Sequence, residues 1–215
     1  MRWIIRTGVF SLIVAAFGSM ILQDLQYSWR HRRTHDLIGA ISKGRQVGTA
    51  LLNFESDYGK YPDSSTALVV KARTGSTWTL GDGTSNELFE QLLVSGIGKS
   101  EEIFFFQTPW SRKPDNLFST ESQALEKGEC VFAYIAGLVS TDAPNTPICV
   151  APLQPGKLIF ETEIFGGKAF MVRLDNSVIT LPIDKSGHAI LNGMDLFDPR
   201  QPFWHGKAPN VKWPK

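Results

Sequence analysis

The sequence predicts an α+β fold in which an N-terminal helix packs on a C-terminal antiparallel β-sheet. The first half of that helix is expected to span a membrane and the second half to be amphipathic. Three observations predict this. Trp3–Leu22 is apolar with Arg6 as its one charge, and at 1.5 Å per residue such a stretch matches the ~30 Å of bilayer hydrocarbon. Leu37, Ile41, Val47, Leu51, Phe54 and Tyr58 then recur at helical spacing. From Cys130 onward the apolar period shortens towards two.

Taken in order, residues 1–35 read as a membrane anchor with a juxtamembrane helix. No small-x-small cleavage site with a polar break follows the apolar run, and helix-compatible sequence continues from Ser19 to Ile38. Both favour a retained, single-pass span over a cleaved signal. Tyr27 and Trp29 sit where interfacial aromatics anchor a helix, with Arg30, Arg32 and Arg33 at headgroup level. Residues 36–215 read as one domain. The apolar stripe predicts an amphipathic helix over 36–58, stopped by Gly59 and Pro62. Leu51→Ala should therefore lower stability by about 2–5 kcal/mol.

Thr84 and Glu87 stand at capping-box spacing ahead of Leu88, Leu92 and Leu93, which predicts a short helix over 85–95 ended by Gly96. Residues 97–128, with Phe104, Phe105, Phe106 and Trp110 among turn formers, read as a long irregular connection. The sheet is expected at about 130–192. Its strands are Cys130–Ala136, Leu158–Glu163, Ala169–Leu174, Val178–Ile183 and Ala189–Leu191, with turns at Gly166-Gly167 and Asp175-Asn176. Residues 195–215 contain four prolines beside Phe197, Phe203, Trp204 and Trp213, which reads as an irregular strap across the sheet. Trp204 and Trp213, flanked by Lys207 and Lys212, are also candidate docking residues for a partner subunit or a glycan.

Charge and motifs narrow the function classes. With 22 basic and 21 acidic residues the net charge is +1, which gives no electrostatic case for nucleic acid. No Ser or Cys nucleophile has a His and an acid in motif context, and Gly81-Asp82-Gly83 lacks the Lys of a phosphate cradle. An enzyme is not expected. His31 and His35 are four apart but lie among arginines and lack a third ligand. No cofactor is expected; Asp82, Asp175 and Asp184 are candidate calcium ligands, with turn formation the commoner role for such residues.

Cys130 and Cys149, the two cysteines, permit one disulfide in an oxidising envelope. If Cys130–Gly137 pairs with Ile148–Leu153 around Thr141–Asn145, Cys149 faces a residue near Ala136. Cys130 is then about 20 Å away, which favours two buried thiols.

The stretch ALLNFESDYGKYPDSSTAL at residues 50–68 closes the helix in a way that resembles the type IV pilin and type II secretion pseudopilin superfamily. Gly83–Phe89, Phe165–Ala169 and Leu174–Val178 resemble a bacterial pilin-like group with a Trp-rich, Pro-rich tail. The prepilin motif is atypical. Gly8, Val9 and Phe10 mark the candidate processing site, with one residue more between Gly and Phe than the family has. The buried glutamate that the family carries falls on Val14 or Ile13. Helix packing in the anchor would involve Phe10, Leu12, Ile13, Val14, Ala15, Ala16 and Gly18, whose small members permit close approach.

The resemblance implies a structural or assembly subunit of an envelope filament or secretion apparatus. It implies a bacterial inner-membrane location with the domain facing the periplasm or exterior. The expected partners are the lipid bilayer and other pilin-like subunits or assembly machinery, as a homo- or hetero-oligomer. The alternative is a membrane-tethered binding module that never polymerises. Arg2 and Arg6 against Arg30, Arg32 and Arg33 would by charge alone favour the opposite orientation.

Overall fold

The structure, a computed structural model, describes residues 36–215. Three helices, α1 (36–58), α2 (Ser64–Thr74) and α3 (Ser85–Val94), cover one face of a five-stranded antiparallel sheet. The strands are β1 (Ala133–Ala136), β2 (Pro147–Ala151), β3 (Lys168–Arg173), β4 (Val178–Pro182) and, after a separate ribbon of β5 (Ile190–Leu191) and β6 (Met194–Asp195), β7 (Asn210–Lys212). Their order is β4-β3-β2-β1-β7.

This corrects the expected fold. No helix among the described residues is long and apolar enough to cross a membrane; those described are three short ones, α1, α2 and α3. The reason lies in α1 itself. Its inner side buries Leu37, Ala40, Val47, Leu51 and Phe54, while Ser42, Arg45, Gln46, Thr49 and Asn53 on the other side are exposed. A helix so divided belongs at a domain surface. The span proposed for Trp3–Leu22 and the candidate residues Gly8, Val9, Phe10, Leu12, Ile13, Val14, Ala15, Ala16 and Gly18 lie outside the described residues, as do His31 and His35.

α1 is seated on the sheet through glycines. A Cβ at Gly44 would stand 3.0 Å from Phe170 and 3.1 Å from Val172, and one at Gly48 would stand 2.9 Å from Val172. Both neighbours belong to β3, so the missing side chains let helix and strand approach closely. Gly59 ends α1 at φ +79°, donating its N–H to Glu55 O at 2.7 Å.

α2 was not expected from the sequence. Asp63 caps it, accepting from the N–H groups of Ser65 and Thr66 while Thr66 Oγ1 accepts from Asp63 N. Thr84 caps α3 by accepting from Glu87 N, and the Glu87 carboxylate reaches back to Gly83 N at 2.8 Å. Buried Gln91 joins the two helices, donating to Asp63 O and accepting from Thr66 Oγ1.

The sheet is covered on both sides. Phe132, Tyr134, Cys149, Phe170 and Val172 face the helices, together with Phe104, Phe106 and Leu125 from the 97–128 connection. Ala133, Ile135, Val150, Met171 and Leu181 face the opposite way, beneath Leu153, Phe160, Leu196, Phe197, Phe203 and Trp204. Strands buried on both faces lose the polar alternation of a half-solvated sheet, which is why β2 reads as a plain apolar run.

Several strand expectations are corrected here. Leu158–Glu163 contributes a single bridge, Leu153 to Phe160, and no strand. Ile190–Leu191 belongs to the separate ribbon. The C-terminal segment does contain regular structure, because β7 pairs with β1 as the edge strand. Its prolines fall outside the paired residues, where the missing N–H removes no ladder bond.

Candidate docking site

The C-terminal strap is where the sequence placed its candidate anchors. Pro202–Trp204 forms a 3₁₀ turn, and the left-handed backbone of His205 (φ +50°) and Gly206 (φ +77°) redirects the chain towards β7. Trp204 is 6% exposed; its Nε1 donates to Leu196 O at 2.7 Å, and its ring meets Phe203 edge-on. It is a core residue of the outer layer. Trp213 is half-buried and donates Nε1 to Lys157 O at 3.0 Å. Neither indole offers a free polar handle, so the two act as pins of the strap. Beyond Trp213, Ser85 N donates to Trp213 O, and Asn86 Oδ1 accepts from Lys215 N. The strap is thereby tied to the first turn of α3.

A surface open to a partner lies along α1. A cleft of about 420 Å³ opens between α1 and residues 97–103. Ser42, Gln46, Thr49 and Asn53 line one wall at spacings of four, three and four, which is one side of a helix. Ile97, Lys99, Ser100 and Ile103 form the facing wall, and Arg45 borders the helix side. Uncharged hydrogen-bonding side chains in a row present both donors and acceptors. The run SKGRQVGTALLN carried this signal, but a polar row on an amphipathic helix is also what plain solvation produces. A second cleft of about 320 Å³ separates the end of β1 from the strap, with Asp142, His205 and Lys207 at its rim.

The carboxylates and thiols hold structure together. Glu101 is fully buried; its Oε1 accepts from Leu125 N at 2.6 Å and its Oε2 has no partner. Burial, reinforced by Glu129 and Asp115, pushes its carboxyl up to about 7. Glu90, buried 3.6 Å from Lys215 Nζ, is likewise pushed up to about 7 by burial, against the attraction of that ammonium. Glu129 accepts from Glu126 N and pairs with Arg112, which also reaches Glu126.

Cys130 and Cys149 are free and buried. Tyr134, two residues before Ala136, stands opposite Cys149. Cys130 Sγ contacts Ser85 Oγ at 3.7 Å, and burial raises both thiols, Cys130 to about 12.

Of the candidate calcium ligands, Asp175 accepts from Ser177 N and Asp184 from the N–H groups of Ser186 and His188. Asp175 and Asp184 organise turns. Asp82 joins neither, and among the described residues no three His, Cys, Asp or Glu side chains converge to hold a metal.

No known protein family, curated protein or solved structure matches the chain. The single-pass membrane, pilin and secretion descriptions accordingly find no support: no family, curated protein or solved structure matches them, and no helix among the described residues is long and apolar enough to cross a membrane.

Proposed function

We propose that this domain is a structural subunit that docks onto other subunits of an assembly and performs no catalysis. The observation that carries this reading is the division of α1. One side is seated closely on β3 through Gly44 and Gly48, and the other presents Ser42, Gln46 and Asn53 to an open cleft. A spine buried on one side and ready to hydrogen-bond on the other suits repeated subunit contact. Buried Glu101, Glu90 and Cys130 support the same reading, since each joins segments distant in the sequence.

The test is cysteine cross-linking in the native host. Cys130 and Cys149 are buried, so a cysteine placed at Asn53 or Gln46 would be the reactive thiol. A bifunctional maleimide should then yield dimers and higher species. Persistent monomer at both positions would overturn the assembly reading.

A further inference from the structure

We propose that the cleft between α1 and residues 97–103 seats an extended, acidic peptide segment of a partner subunit. The inference rests on the assembly reading and names the chemistry of the partner. From Leu37 to Phe54, α1 carries no acidic residue and two basic ones, Lys43 and Arg45. Arg45 borders the cleft on the helix side and Lys99 on the other. Among the described residues, neither cation has a carboxylate within ion-pair distance. Two unneutralised cations on opposite walls of one cleft make a site complementary to negative charge.

The rest of the lining fixes which anion. Gln46 and Asn53 each present an amide donor and an amide acceptor, the same pair of groups that an extended backbone offers at every residue. Ser42 and Asn53 are about 16 Å apart along the helix axis, room for about five residues of extended chain at ~3.3 Å each. Ala50 on the helix side and Ile97 and Ile103 on the facing wall give apolar contacts for alternate side chains. Among the described residues no aromatic ring lines the cleft, so a sugar face would find no stacking surface from them.

The experiment is fluorescence anisotropy of dye-labelled hexaglutamate titrated with the full-length chain in a neutral detergent at low ionic strength. R45E/K99E should weaken binding on the order of tenfold or more, because two attractions become repulsions. The control K113E/K185E alters charge equally on exposed residues outside the cleft lining and should bind as the unaltered chain does. Melting curves of both variants must match the parent. No binding by the parent chain, or equal weakening in both double variants, would overturn the proposal. So would an oligogalacturonate that binds more tightly than hexaglutamate and shares the R45E/K99E sensitivity, since the ligand would then be an acidic saccharide. Cross-linking at Asn53 bears on the assembly reading alone, so the two can fail separately.

Discussion

Asn176, at the tip of the β3–β4 hairpin, lies directly on Gly48: a Cβ built at Gly48 would stand 2.1 Å from Asn176 Oδ1. Asn176 Nδ2 meanwhile donates to Thr49 Oγ1 at 2.9 Å. The hairpin is therefore latched to α1 at a point where only hydrogen fits. Gly48→Ala should lower stability by about 1–3 kcal/mol through overpacking, despite alanine's better helix propensity. On the same helix, nothing within 4 Å would meet a Cβ at Gly39, and Gly39→Ala should raise stability by about 0.5–1 kcal/mol. Urea unfolding of the two variants, compared at their midpoints, checks the opposed signs.

Leu51 is fully buried between α1 and the sheet. Leu51→Ala should cost about 2–5 kcal/mol, with the larger value if the surrounding aromatic side chains cannot collapse into the space. Loss below about 1 kcal/mol in the same unfolding assay would contradict the tight helix–sheet seat.

Glu101 sets a pH dependence. Its carboxyl titrates near 7 in the fold against an ordinary 4.5. Between those values the folded chain holds a proton that the unfolded chain has released, so stability is highest at the acidic end of this window and falls as pH rises through it. Glu90 contributes in the same direction. Glu101→Gln should flatten the slope of unfolding free energy against pH over this range, and an unchanged slope would show that the buried carboxyl does not titrate there.

Both thiols should resist iodoacetamide in the folded protein and react fully in guanidinium, because burial suppresses the thiolate on which alkylation depends. Mass spectrometry without reductant should find two free cysteines. A mass two hydrogens lower would mean that they pair.

How much of this was legible in the sequence depends on whether a residue advertises its surroundings. Thr84, Glu87 and Leu88 carry a helix start in their own chemistry, and Asp175-Asn176 carries a turn, with Asn176 at φ +62°. α2 hides because only Thr66, Ala67 and Val70 are buried while Leu68 is 71% exposed, so no apolar stripe forms. β7 hides in a proline-rich tail, since the three positions that pair with β1 differ from the rest only in being left free of proline. The register opposite Cys149 could not be read because the residues between β1 and β2 form an irregular loop, and a symmetrical turn at Thr141–Asn145 puts the wrong residue across from it. Trp204 was recognisable as an anchor but not which way it faced, because burial in the outer layer depends on segments far away in the chain. The α1 cleft was the least legible: four of its ten lining residues come from 97–103, which no periodicity links to the helix.

The tie between α3 and the strap has a kinetic consequence. Asn86 and Lys215 are 129 positions apart, so the contact forms only after a very large loop has closed, at an entropic disadvantage that no local structure offsets. Contacts of such sequence separation form late. The amide of Ser85, held by Trp213, should accordingly gain protection in pulse-labelled refolding after the β3–β4 hairpin amides, leaving the first turn of α3 frayed through most of the folding reaction.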